Sequence, residues 1–203
     1  MLIAVSKTFD ADHVRAAWEA GQRAFGENRI QEAEQKMSAT ADLVGAAWHL
    51  IGHLQSNKAK KTAGFAAIHS IDSLDLLRRV DAAAAERGTR PDVLIQADLA
   101  GESTKFGTPE QEVEAIARAA LEARAVRLAG LMLLPPWNEN QEETRPWFAR
   151  LRALRDRLRS AGIPAEALSE LSMGMSHDFE AAIEEGATMV RIGTAIFGKR
   201  VKL

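Results

Sequence analysis

The feature that most limits what this chain can fold into is an alternation. Short apolar runs rich in β-branched residues occur at Leu2–Val5, Trp48–Ile51, Ala67–Ile71, Val93–Ala97, Leu128–Leu134, Leu168–Leu171 and Met189–Ile192, with a weaker one at Arg23–Gly26. Each has the length and composition of a strand buried on both faces. Helical patterns lie between them. Thr108-Pro109-Glu110-Gln111 reads as a capping box with proline at the first helical position, and Val113, Ile116, Ala120 and Leu121 then mark one apolar face. Trp147, Leu151, Leu154 and Leu158 recur at helical spacing, with Pro146 in the first turn. Leu74–Arg87 ends at Gly88, which suits a left-handed C-cap. Some eight strand–helix repeats imply parallel strands joined by right-handed crossovers. The expected fold is a closed (β/α)8 barrel of TIM type, one domain over residues 1–203. The alternative is an open doubly wound sheet, which commonly carries a glycine-rich phosphate loop after its first strand. Here the first strand runs into Ser6-Lys7-Thr8, and no glycine-rich phosphate motif occurs.

Composition removes several function classes. The formal net charge is −2, which argues against a general nucleic-acid binder. The chain has no cysteine, so disulfides and thiolate metal sites are excluded. No apolar run approaches the roughly 20 residues of a membrane span, and the N-terminus lacks the layout of a secretory signal, so a cytoplasmic protein is expected.

Parallel barrels bind ligands at the C-terminal ends of their strands. In this chain most of those ends carry polar residues. Lys7 follows the first strand, Glu27 and Asn28 the second, and His53, Gln55, Ser56, Asn57 and Lys58 the third. Ser70 and Asp72 follow the fourth, and Asp98 and Lys105 the fifth. "LSMGMSHD" brings Ser172 and Ser176 after the seventh, and "RIGT" brings Arg191, Gly193 and Thr194 at the eighth. Small residues and hydroxyls in the last two stretches suit a phosphate, because backbone N–H groups can approach it closely. A phosphate site opposite a strand-end lysine points to pyridoxal phosphate, whose aldehyde requires an amine. Arg191 is then placed to face the ring nitrogen, where a cation weakens the cofactor as an electron sink.

The stretches "AVSKT", "FGENRIQEA", "HLIGHLQSNK" and "SMGMSHDFEAAIEEGATMVRIGTAIFG" resemble the pyridoxal phosphate homeostasis proteins, over residues 2 to about 198. The resemblance implies a barrel like the N-terminal domain of alanine racemase, with pyridoxal 5'-phosphate held as a Schiff base on Lys7. It implies that Asn28 lies beside the cofactor, that Ser172, Gly193 and Thr194 hold its phosphate with help from the Met173 region, and that Arg191 faces the pyridine nitrogen. The implied role is carrying or buffering the cofactor, with pyridoxal-phosphate-dependent apo-enzymes as recipients, no robust turnover, and a monomer or weak dimer. Two departures stand out. The family has a further helix before the first strand, and His53 stands where its proline is expected. Without that helix, apolar surface of a few hundred Å2 is expected beside the first and last strands.

The rival reading is a racemase or decarboxylase of low activity. A racemase needs an acid/base group on each face of its substrate. In alanine racemase, the resemblance implies, the lysine's partner is a tyrosine from a second domain, and this sequence has no tyrosine. His49 and His53, spaced to share a strand face, make a weak metal candidate without further ligands, and none is assigned. Ser176 reads as the cap of the following helix. Lys58, Lys60 and Lys61 read as a solvated helix face.

Overall fold

The computed structural model describes residues 1–101 and 106–199. Its strands are β1 (Leu2–Val5), β2 (Ala24–Glu27), β3 (Ala47–Leu50), β4 (Ala67–Ile71), β5 (Asp92–Asp98), β6 (Thr108–Pro109), β7 (Arg127–Met132), β8 (Glu170–Met175) and β9 (Met189–Ile192). The helices are α1 (Ala11–Glu19), α2 (Ile30–Ala39), α3 (Leu74–Arg87), α4 (Val113–Leu121), α5 (Arg145–Ser160), α6 (Phe179–Glu184) and α7 (Thr194–Phe197). All strand pairings are parallel. The order β4-β3-β2-β1-β9-β8-β7-β5, closed by β4 on β5, makes an eight-stranded barrel, with β6 added outside β5. The chain is a (β/α)8 barrel, as the alternation predicts. Among the described residues no helix is long and apolar enough to cross a membrane.

Helices and barrel pack into one large apolar layer that includes Phe25, Trp48, Ile68, Ile95, Leu131, Phe148 and Leu171. A smaller cluster of Ile3, Ala24, Leu94, Ala129, Met132 and Met189 fills the barrel itself. Several local expectations change. Thr108 and Pro109 pair with Ala97 and Asp98, so Thr108 spends its backbone on the sheet and caps nothing; one 3-10 turn, Glu110–Glu112, separates it from α4. Leu121 is 43 % exposed, and Ala117 takes its place on the buried face of α4. On α5 the buried position falls to Phe148, while Trp147 lies beneath the Arg150 guanidinium. The third crossover is a 3-10 helix, Ser56–Lys61, that presents Lys60 and Lys61 to solvent. Gly88 does cap α3, at φ 64°. At the seam between β1 and β9, apolar exposure is confined to one end. Met1 and Leu2 are exposed, whereas Ala4 and Ile192 are buried.

The middle of the barrel holds a polar chain. His49 Nδ1 lies 3.0 Å from His69 Nε2, and His69 Nδ1 lies 2.9 Å from Ser172 Oγ. Arg191 Nη1 donates to that same oxygen at 2.7 Å, and its Nη2 donates to the Leu133 carbonyl at 2.9 Å. One proton arrangement satisfies the chain with both imidazoles neutral: Ser172 donates to His69, and His69 donates to His49. Burial is what keeps them neutral. It lowers the His49 pKa to about 4, and it lowers that of His69 well below the ordinary range, helped by repulsion from His49 once that ring is protonated and by the charge of Arg191.

In the unfolded chain both imidazoles titrate near 6.5. The unfolded state therefore binds more protons below that pH, and stability contributed by the neutral pair is complete above it and lost as pH falls. Urea midpoints should be steady near pH 7 and decline from about pH 6.5 downward, with His49 alone accounting for on the order of 2–3 kcal/mol by pH 4. His49→Phe should remove that share of the decline. An unchanged pH dependence in the variant would show that His49 titrates alike in the folded and unfolded chains.

Candidate functional site

The C-terminal ends of the strands open into one cavity of about 920 Å3. Its wall includes Lys7 from the end of β1, Asn28 from the end of β2, Arg191 on β9, and Gly193 and Thr194 just beyond β9. Three stretches distant in sequence are thus brought to one space by barrel closure. Lys7 is half-buried, as is Asn28. Arg191 is 3 % exposed, and burial lowers its pKa to about 10, against the opposing charge of Asp178. It therefore stays cationic at neutral pH and gives the cavity a fixed positive charge.

Two expected residues lie elsewhere. Ser172 and Met173 are completely buried, and neither is among the residues that line the cavity. The reason is the length of β8, which runs on to Met175 and keeps Ser172 inside the barrel, where Arg191 and His69 occupy its hydroxyl. The hydroxyl that reaches the cavity is Ser176, whose Oγ accepts a hydrogen bond from Gly193 N at 3.2 Å. Ser176 does not cap α6; Asp178 stands at that position, and its Oδ1 accepts from Met175 N at 2.7 Å. Ser176 and Thr194 thus bring hydroxyls to the cavity on either side of Gly193, whose N–H is given to Ser176 Oγ; hydroxyl donors suit an anion.

Apolar residues complete the space. Phe9, Phe106, Leu134 and Trp137 line it, and Trp137 is 69 % exposed. His53 lies past the end of β3 and not on a shared face with His49. Its ring stacks on Phe106 with centroids 3.5 Å apart, and its Nδ1 lies 3.3 Å from Asp72 Oδ2. Sequence reasoning passed over Phe9, Phe106 and Trp137, since lone aromatics in loops carry no periodic signal. Lys58 lies on a shallower neighbouring cavity of about 360 Å3, with Arg29 and Gln31. Lys105 lies outside the described residues. Among those described, no group of three or more His, Asp or Glu side chains is placed to hold a metal ion.

A half-buried lysine, a fixed cation and a wall carrying hydroxyls at the C-terminal mouth of a parallel barrel define a barrel protein with one cavity suited to a small anionic ligand. The chain belongs to the alanine racemase N-terminal domain family, whose model matches residues 2–201, and within it to the pyridoxal phosphate homeostasis proteins. It is 44 % identical to the pyridoxal phosphate homeostasis protein of Aquifex aeolicus over 98 % of this chain and 86 % of that one. It is 41 % identical to the protein of that name from Escherichia coli K12, over 98 % and 85 %. The solved structure of PipY from Synechococcus elongatus PCC7942 with PLP bound matches with a TM-score of 0.91 at 42 % identity, over 98 % and 92 % of the two chains. An alanine racemase from Clostridium difficile, 15 % identical with a TM-score of 0.78 over 99 % of this chain and 53 % of its own, shares the fold alone.

The position of Asn28 depends on a close approach. A Cβ built on Gly52 would stand 2.3 Å from the Asn28 carbonyl oxygen. No side-chain motion relieves a clash with backbone, so Gly52→Ala has to displace the end of β2. The expected cost is about 1–3 kcal/mol of stability by chemical denaturation. A variant as stable as the parent would show that the Asn28 loop yields freely.

Proposed function

We propose that this chain binds pyridoxal 5'-phosphate through Lys7 and carries or buffers the cofactor, passing it to pyridoxal-phosphate-dependent apo-enzymes in the cytoplasm. The observation that carries the reading is that Lys7, Ser176, Arg191, Gly193 and Thr194 all line one cavity, brought there by the pairing of β1 with β9. The donor set fits the group. Hydroxyls and amides suit a phosphate, a half-buried lysine suits an aldehyde, and about 920 Å3 leaves ample room for a single pyridine ring. PipY with PLP bound, 42 % identical over nearly the whole of this chain, supports the same ligand.

When bound, the cofactor supplies an aldehyde that condenses with a primary amine and releases water. Lys7, half-buried at the end of β1, is the amine we assign to it. Ser176, Gly193 and Thr194 take the phosphate; Ser172 contributes indirectly by holding Arg191 in place. Asn28 flanks the ring. Arg191, a fixed cation in the same cavity, would oppose protonation of a pyridine nitrogen held against it. No tyrosine is present to serve as a second acid/base. The wide mouth, with Trp137 exposed on its rim, favours exchange of the cofactor over retention of a substrate. We take the working state to be a monomer or weak dimer.

The test is the visible spectrum of the purified protein with added pyridoxal phosphate, before and after borohydride reduction, with the modified peptide mapped. Lys7→Ala should lose the yellow band and the reduced adduct while keeping its circular dichroism. An adduct found chiefly at Lys58 would sink the assignment. Amino acids incubated with the loaded protein in heavy water should exchange their α-protons far more slowly than the range of about 1–1,000 per second of ordinary enzymes. Exchange within that range would favour the racemase or decarboxylase reading instead.

A further inference from the structure

The two residues that flank Lys7 are both held by one buried ammonium. Lys36 on α2 is 5 % exposed. Its Nζ donates to the Ser6 carbonyl at 2.7 Å, to Glu27 Oε1 at 2.6 Å and to Glu32 Oε1 at 2.7 Å. An ammonium has three N–H donors, and all three are used. The Ser6 hydroxyl donates to the same Glu27 oxygen at 2.6 Å, and the Thr8 N–H donates to the same Glu32 oxygen. Ser6 is thus tied to Lys36 directly, and Thr8 is tied to it through Glu32.

Thr8 shows that this restraint has a conformational effect. Its φ is 73°, and it is the single non-glycine residue with positive φ among those described. A β-branched side chain enters that region only where its surroundings hold it there. The bond from Thr8 to Glu32 is a contact that does so. The chain therefore turns sharply on leaving Lys7, and the turn is fixed from the α2 side.

We propose that Lys36 is a positioning residue for Lys7, fixing the peptide groups on either side of it and so aiming its side chain into the cavity. This deepens the cofactor reading and rests on it. The same geometry explains why Lys36 does not compete for the cofactor. Its nitrogen is buried and enclosed by two carboxylate oxygens and a carbonyl, which leaves an aldehyde no approach to it. Burial raises the Glu27 pKa, against hydrogen bonds from Lys36 and Ser6, so loss of the ammonium would leave a buried carboxyl that takes up a proton and drops its hold on the cluster.

The experiment compares the pyridoxal-phosphate-loaded parent with Lys36→Met, Glu32→Gln and the double variant. Release is followed as decay of the visible band in the presence of a phosphatase that destroys free cofactor. Lys36→Met should release pyridoxal phosphate at least tenfold faster, shift the pH dependence of the visible band, and spread the borohydride adduct away from Lys7. Glu32→Gln, partly exposed, should show a smaller shift of the same kind. The double variant should be little worse than Lys36→Met alone, because Glu32 acts through the same ammonium. Leu154→Ala, on the core face of α5 away from the cavity, is the control for lowered stability alone and should leave the band and the release rate unchanged. If Lys36→Met folds and matches the parent in band, adduct and release, the proposal is wrong. If it does not fold, an unchanged band and release in Glu32→Gln overturn it equally. A parent protein whose adduct is not on Lys7 would refute the cofactor assignment itself, a separate outcome from failure of the Lys36 variants.

Discussion

Everything at the cavity depends on the pairing of the first strand with the last. Leu2, Ile3 and Ala4 run alongside Val190, Arg191 and Ile192 in parallel register, and Val190 N donates to the Met1 carbonyl at 3.0 Å. That ladder turns an open sheet into a barrel. It also sets Lys7 beside Arg191, Gly193 and Thr194, partners more than 180 positions away in the sequence. An open sheet with the same strands would hold the amine at one edge and the anion wall at another. The ligand site is thus a product of closure more than of any one loop.

Closure alone does not orient side chains, and the chain commits buried polar groups to that end. Arg191, Ser172, His69 and His49 span the barrel interior, while Lys36 and Glu27 sit beneath the β1 and β2 ends. Such groups contribute less to stability than apolar residues of the same volume would, because desolvation offsets much of their attraction. Their effect is geometric. The first set fixes the arginine from below; the second fixes the turn on which the lysine stands. The hydrogen bonds of these sets span 2.6–3.0 Å and fix an arrangement where an apolar core would tolerate several.

The barrel was legible in the sequence because parallel strands buried on both faces read as unbroken apolar runs. Leu2–Val5, Ala67–Ile71 and Met189–Ile192 have the bounds read from composition alone. The cavity was legible in outline, since strand ends in such a fold converge: Lys7, Asn28, Arg191, Gly193 and Thr194 all line it. What escaped was depth. β8 was read as ending at Leu171 but continues to Met175, so the serine that reaches the wall is Ser176 and not Ser172. His69 was hidden for the opposite reason, as a polar residue in mid-strand that reads as part of an apolar run. Lys36 looks like any solvent-facing lysine of an amphipathic helix. Only the facing carboxylates of Glu27 and Glu32, one of them on another element, show that it points inward.

The closure of β1 on β9 also has a consequence in time. A ribosome delivers β1 first and β9 last, so Lys7 waits, without Arg191, Gly193 and Thr194 beside it, through the synthesis of nearly the whole chain. Contacts of such sequence separation form late and slow the folding of parallel sheets. Nascent chains, truncated chains and chains with a frayed last strand therefore share one property: they display Lys7 on a strand with no neighbour on that side. Capture of a ligand by this cavity reports that translation has run through β9 and that the two ends of the sheet have met.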